Sequence, residues 1–266
     1  MTAPAHPTLT RRARHRLRTR ATEYPAFYLP FARRKYPGPS PEVISSETEF
    51  VIDGYTRSAS TFAVYALQLA QPAPVRLAHH LHAPAQLIAA ARNGVPALAV
   101  IRDPQGAISS QLIREPDVAL RDALIAYARF YECLLGYRDN FAIADFEEVT
   151  KDFGAVIRRI NDRFGTQLCE FEPSEANIAR CFDLIKLRST LSPVLLGFES
   201  GTVTADELNR HVAALSRAQG PTPEAWVPSG ERDKSKAALQ DQWARPGLAR
   251  LRARAQRAYE SFRGIA

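Results

Sequence analysis

Between residues 49 and 165, short apolar runs alternate with segments of helical period, and that alternation confines the chain to an α/β architecture. Residues 49–53 are apolar at Phe50, Val51 and Ile52 and are closed by Gly54, which predicts a buried strand. Residues 74–78, 96–101 and 140–145 read as three more strands. Between them, residues 58–71 place Phe62, Tyr65, Ala66 and Leu69 at helical spacing. Residues 84–92 and 104–114 read as helices, the second with Asp103 as N-cap and Pro104 in its first turn. Residues 117–136 align Leu120, Leu124, Tyr127, Tyr131 and Leu134; residues 152–164 align Phe153, Val156, Ile157, Ile160 and Phe164. Strands joined through helices pair in parallel, so the expected fold is α/β, with a mainly parallel central sheet flanked by helices. After residue 172 the strand signals stop. Helical segments 174–188, 205–217 and 246–263, separated by Pro/Gly/Ser-rich loops, predict a helical C-terminal part.

The net charge of +7 over 266 residues is concentrated at one end. Residues 1–36 hold nine basic side chains against Glu23 alone, so the rest of the chain is slightly acidic. A basic arm suits an anionic lipid surface, nucleic acid or an acidic partner, and equally a solvated tail that packs locally. It lacks the apolar stretch of a secretory signal. Residues 24–41 mix five aromatics with five prolines and read as an extended strap on the domain. The expected organisation is therefore arm and strap over residues 1–40 and a single α/β domain over 41–266. No stretch is apolar enough to span a membrane. Cys133, Cys169 and Cys181 fit no zinc framework and point to a reducing, cytoplasmic setting.

The chemistry is concentrated after the first strand, in Gly54-Tyr55-Thr56-Arg57-Ser58-Ala59-Ser60-Thr61-Phe62. A helix that opens directly from a strand presents unpaired N–H groups to a phosphate or sulfate. Small residues admit the ligand, and hydroxyls and a guanidinium add donors. The second Gly and the Lys of a Walker A loop are missing, which disfavours an ATPase or ordinary kinase. Taken alone, a Ser/Thr-rich helix cap would look similar. A second anion signal is Arg102 at a strand end with Ser110 eight residues on. Between the two lies His79-His80-Leu81-His82-Ala83-Pro84-Ala85-Gln86-Leu87. The histidines suit a general base, and the H-x-H pair His80/His82 could also bind zinc, although no third ligand stands out. Glu147 and Glu148 are further candidate bases, or residues that close a strand or cap a helix. No thiol or G-x-S-x-G nucleophile pattern is present.

In this order the motifs resemble the sulfotransferases that use 3′-phosphoadenosine 5′-phosphosulfate (PAPS). Arg57-Ser58-Ala59-Ser60-Thr61-Phe62 is similar to the family's 5′-phosphosulfate loop, and Arg102 with Ser110 to its 3′-phosphate motif. His82-Ala83-Pro84-Ala85-Gln86-Leu87 is similar to its H-x-P-x-Q-L segment, and Phe146-Glu147-Glu148-Val149 to a strand end of the Y-E-D-[ML] type. The similarity spans residues 49–165. Arg57 in place of Lys resembles bacterial members. Ala59 replaces a usual Gly, and Phe146 a Tyr. The C-terminal R-K-G-x-x-G-D-W-K motif is not reproduced; residues 228–236, with Arg232, are its counterpart by position and charge.

The resemblance implies a P-loop-like sulfotransferase fold, with PAPS as co-substrate and no metal. It implies that Arg57, Ser58, Ala59, Ser60 and Thr61 hold the 5′-phosphosulfate, that Phe62 flanks adenine, and that Arg102, Ser110 and Arg232 serve the 3′-phosphate. His82 is the implied base, with His80 as runner-up and Arg57 assisting at the leaving oxygen. The acceptor, a small molecule, glycan or lipid, is not specified; residues 189–201 and 220–236 read as lids over it. A cytoplasmic enzyme, with peripheral membrane contact through the arm, is the expectation. An atypical P-loop phosphotransferase and a non-catalytic binding protein are the alternatives.

Overall fold

In a computed structural model of the chain, residues 8–38, 42–218 and 230–264 are described, apart from the side chains of 218 and 231–233. Helices α1 (Leu9–Ala21) and α2 (Pro25–Lys35) lead into strand β1 (Phe50–Gly54). Then come α3 (Ser60–Ala70), β2 (Leu77–His79), α4 (Pro84–Asn93), β3 (Ala97–Ile101), α5 (Pro104–Arg114), α6 (Leu120–Glu132), β4 (Ala142–Asp145), α7 (Phe146–Lys151) and α8 (Phe153–Phe164). The rest is helical: α9 (Glu175–Leu187), α10 (Pro193–Ser200), α11 (Ala205–Ala218), α12 (Gly230–Ala238), α13 (Gln240–Ala244) and α14 (Ala249–Arg263).

The four strands form one wholly parallel sheet in the order β2-β1-β3-β4. Helices cover both faces, so β1 and β3 are buried along their whole length; β3 is continuously apolar, and β1 is apolar over Phe50, Val51 and Ile52 before Asp53. Val51, Ala97, Ala99 and Ile101 pack with α4 and α6 on one face. Phe50, Ile52, Leu98 and Val100 pack with α3, α8, α9 and α10 on the other.

The expected strand over 74–78 shifts to Leu77–His79. The Gln68 side chain brackets Val75, accepting from its N–H at 3.1 Å and donating to its carbonyl at 2.7 Å, which holds that segment off the sheet. The strap is a helix, not extended chain. Pro25 sits in the first turn, where no N–H is needed, and Tyr28, Leu29 and Ala32 are buried on one helical face, which outweighs Pro30 in the interior. Phe146–Val149 is likewise helical rather than a strand end. Asp145 and Glu148 close a capping box around the start of α7. The segment read as a lid over 189–201 is mostly α10, with Leu195, Phe198 and Glu199 in the core.

The basic arm is docked. Arg12 and Arg16 of α1 each place Nε 2.9 Å from a carboxylate oxygen of Asp122, whose side chain is 1% exposed. Arg129 makes a two-pronged contact with Glu23, at 2.6 and 2.5 Å. The Thr22 carbonyl accepts from the Ala85 N–H. An Asp buried among apolar residues is tolerable only when paired, and here one carboxylate fixes the arm onto α6.

Candidate anion-binding active site

Strand β1 ends where the sheet order turns from β2 to β3, the place where open parallel sheets bind ligands. The backbone there enters the left-handed region twice, at Arg57 (φ 68°) and Ala59 (φ 75°). That turn exposes successive N–H groups in a concavity suited to an anion. Helix α3 starts without a side-chain cap, and the buried Ser60 hydroxyl in its first turn has no protein partner. By contrast, Asp103 caps α5, accepting from Gly106 N–H at 2.6 Å.

A cavity of about 420 Å³ opens over this start. Among the described residues, Arg57, Arg102, Arg114 and Arg188 line it with one carboxylate, Glu115. Ala59, Ser60, Thr61 and Phe62 form its floor. Arg57 Nε donates to Ser110 Oγ at 3.0 Å, and Arg102 donates to the Arg57 carbonyl at 3.3 Å, so the two anion signals of the sequence meet. The Arg102 guanidinium lies 3.8 Å from the centre of the Phe146 ring. The aromatic that stands where a Tyr was expected therefore supports this arginine.

Not every residue singled out from the sequence faces the cavity. Ser58 is fully buried beside Tyr131, because the left-handed residues on either side turn it into the core. Ser110 is also fully buried and reaches the site through Arg57. Phe62 lines the cavity but is 3% exposed and packed against Phe171 and Phe182, so it is a wall rather than a free stacking plate. Arg232 lies in α12, and its side chain is outside the described residues, as is most of the second predicted lid.

The histidines are separated by their surroundings. His82 Nδ1 is 2.9 Å from the Gly54 carbonyl, which can only accept, so Nδ1 carries the proton and Nε2 is left with a lone pair. Its backbone N–H donates to Asp53 Oδ1 at 3.1 Å, and its side chain is 29% exposed. His80 is nearly buried and uses both ring nitrogens: Nε2 on Thr61 Oγ1 at 2.9 Å and Nδ1 on the His79 ring. Burial and then the Arg188 guanidinium hold the pKa of His80 well below the usual imidazole value and bring His79 down to about 3. Both His80 and His82 line the cavity, yet they reach it from left-handed backbone rather than by alternation along an extended segment.

Two partners were not legible from spacing. Asp53, fully buried at the end of β1, accepts from the Gly54 and His82 N–H groups and from Gln86 Nε2, which fixes the histidine loop. Its sequence signal is a carboxylate closing an apolar strand. Glu199 of α10 accepts from Tyr65 Oη at 2.5 Å and Arg188 Nε at 2.8 Å. Ligand atoms of Glu199, His79 and His80 lie within 4.8 Å of one another, a set that has His79 in place of the His82 of the H-x-H reading. Tyr65 and Arg188 both use Glu199 Oε1, while Glu199 Oε2 and His79 Nε2 have no hydrogen-bond partner among the described residues.

No protein-family model matches the chain, and no curated protein matches it. Among solved structures, the chain is similar to mouse sulfotransferase SULT7A1 complexed with PAP, with a TM-score of 0.36 and 13% sequence identity. The match covers 75% of this chain and 91% of that one. No helix among the described residues is long and apolar enough to cross a membrane. The functional reading rests on the cavity and its residues.

Proposed function

We propose that the chain is a sulfotransferase that moves a sulfuryl group from PAPS to a hydroxyl or amine. The observation that carries this reading is the 420 Å³ cavity in which four arginines meet one carboxylate at an uncapped helix start, with a proton-accepting histidine nitrogen on the same wall. Arg57, Ser60 and Thr61, with the first N–H groups of α3, hold the 5′-phosphosulfate. Arg102, backed by Phe146, takes the 3′-phosphate, and Ser110 positions Arg57. His82 Nε2 accepts the proton of the acceptor as its oxygen or nitrogen bonds to sulfur. The bond from sulfur to the bridging oxygen breaks, and its electron pair leaves on the 5′-phosphate, where Arg57 offsets the charge. His80, fully hydrogen-bonded and cationic only at low pH, orients Thr61 rather than serving as the base. The residues named need no metal to balance this step.

Thermal-shift titration with 3′-phosphoadenosine 5′-phosphate tests the reading without knowledge of the acceptor. At about 100 times its dissociation constant, the nucleotide should stabilise the fold by about 2.7 kcal/mol. Arg102→Ala should abolish the advantage of the bisphosphate over its 3′-dephospho analogue. Stabilisation by ATP with Mg²⁺ alone would instead favour the phosphotransferase, and an unaltered preference in Arg102→Ala would remove that residue from the 3′-phosphate.

A peripheral membrane contact is favoured by a separate observation. Of the seven exposed large apolar side chains among the described residues, five (Leu9, Leu17, Tyr24, Phe27 and Phe31) lie on α1, α2 and the turn between them. Exposed apolar side chains on a basic segment suit an anionic bilayer surface. Co-sedimentation with phosphatidylserine vesicles should be reduced by Phe27→Ser/Phe31→Ser; binding equal to that of the parent chain would remove this face.

A further inference from the structure

His82 stands between two cavities. The larger is the anion cradle. The smaller, of about 120 Å³, lies between the domain and the N-terminal arm, and Thr56, His82 and Glu115 line both. Its outer wall is helix α1, through His15, Arg18 and Thr19. Its floor is aromatic, formed by Tyr55 and Phe130, whose rings meet nearly edge-on at 6.0 Å. Its rim is a chain of polar groups. Tyr55 Oη donates to Gln111 Oε1 at 2.6 Å, and Gln111 Nε2 donates to Glu115 Oε2 at 3.1 Å, which leads to the carboxylate at the junction of the cavities.

One feature shows that the wall has binding capacity left over. The Arg18 guanidinium lines the pocket and forms no hydrogen bond or ion pair among the described residues. The neighbouring Arg12 and Arg16 are committed to Asp122, and Glu23 to Arg129, so α1 is held rigidly while Arg18 faces the opening.

Resting on the sulfotransferase reading, we propose that this pocket is the acceptor subsite and that it takes a compact polyhydroxylated ring, a sugar, with the basic N-terminal segment as its wall. A cavity of this size admits roughly ten non-hydrogen atoms, most of the about twelve of a hexose but too few for a long acyl chain or a folded peptide. The C–H groups of the ring rest against the apolar floor, where Tyr55 and Phe130 are walls 5% and 4% exposed rather than open stacking faces. The rim offers a donor at Arg18 and an acceptor at Glu115, matching hydroxyls that both donate and accept. A phenol would fill the floor and leave that rim unpaired, and a site built to bond hydroxyls rejects the analogue that lacks them. A hydroxyl directed toward His82 gives its proton to Nε2 as its oxygen bonds to sulfur, with the products a sugar sulfate ester and 3′-phosphoadenosine 5′-phosphate.

Saturation-transfer NMR of a set of methyl glycosides against the full chain loaded with 3′-phosphoadenosine 5′-phosphate reads binding without requiring turnover. A glycoside signal is expected that disappears in Thr19→Trp, which fills the pocket from α1. Arg18→Ala should weaken glycoside binding at least tenfold, and calorimetry should show unchanged nucleotide affinity in both variants. Phenol signals without glycoside signals, or glycoside signals that survive Thr19→Trp and Arg18→Ala alike, would overturn the proposal. The nucleotide arm separates the two readings. Loss of nucleotide binding in the parent chain with glycoside signals still blocked by Thr19→Trp would fault the sulfotransferase reading and uphold the sugar pocket. Absence of both would sink both.

Discussion

Helices α3 and α5 both spring from the C-terminal end of a central parallel strand, and they begin in opposite ways. Asp103 closes α5 with its own carboxylate and an ordinary negative φ of −48°. Helix α3 begins after a left-handed Ala59 with no side-chain cap, and Ser60 beside it is buried without a partner. Helices α7, α8 and α9 are capped by Asp145, Asp152 and Ser174. A helix start leaves about four N–H groups to satisfy. Helices α5, α7, α8 and α9 do part of that from within, whereas α2, α4, α6, α10, α13 and α14 share with α3 the lack of a side-chain cap. What sets α3 apart is the left-handed residue before it together with the unpartnered, buried Ser60 hydroxyl, and the proposed function assigns that start to the ligand. The four arginines over that start and the supported Arg102–Phe146 pair point the same way.

Acid is the strongest means of separating the two starts. Beside α3, Thr61 leans on His80, which leans on His79; beside α5 no imidazole intervenes. Burial, followed by Arg188, lowers the folded-state pKa of His79 from 6.5 to about 3. A lowered value means that the unfolded chain takes up the proton first. The stabilising contribution is complete above pH 6.5 and falls as the pH drops toward 3, at about 1.4 kcal/mol per pH unit, or up to about 5 kcal/mol across the interval. His80 shifts in the same direction. Urea unfolding at pH 7, 5.5 and 4.5 should show this slope, and His79→Asn should flatten it. An equal slope in the variant would place the acid sensitivity elsewhere.

Giving α3 a cap of its own should cancel its function. Ala59→Asp puts a carboxylate where the cradle expects an anion, and Asp tolerates the left-handed backbone better than most residues. Two like charges about 4 Å apart repel by a few kcal/mol at an effective dielectric of about 20. Affinity for 3′-phosphoadenosine 5′-phosphate should fall roughly a hundredfold, about 2.7 kcal/mol, while urea stability is held or raised. Calorimetry on the variant decides it: undiminished affinity would mean that the ligand does not sit on this helix start.

Much of the scaffold was legible because burial writes a period into the sequence. Phe50, Val51 and Ile52 are apolar without alternation because both faces of the sheet are covered. Helix α5 could be bounded from Asp103 and Pro104 alone, since the cap chemistry is local. The elements that were misread depend on partners far along the chain. Proline content argues against α2, whose helix rests on burying Tyr28 and Leu29 against α4. Within the site, Arg57, Arg102 and His82 stood out by residue type and spacing. Arg188 and Glu199 did not, because their roles come from α10 returning to Tyr65, 134 residues earlier. Ser58 was assigned to the cradle because spacing along a loop carries no information about left-handed backbone, and φ at Arg57 and Ala59 decides which way it points.

The smallest effect gives the sharpest contrast, since one substitution should have opposite signs at the two starts. Ala59 has φ 75°, a conformation that costs a residue with a Cβ about 1–2 kcal/mol and glycine nothing. Part of that gain is lost to the greater freedom of an unfolded glycine, so Ala59→Gly should stabilise the chain by about 0.5–1 kcal/mol. At α5, glycine removes the carboxylate that accepts from Gly106, and Asp103→Gly should cost a few tenths of a kcal/mol. Bisphosphate affinity should be unchanged in both variants, because the ligand meets the N–H groups of α3 rather than the Ala59 methyl. Urea midpoints measured side by side would show two shifts of unlike sign. A destabilised Ala59→Gly would mean that the start of α3 is not left-handed at Ala59, and the concavity that sets it apart from α5 would go with it.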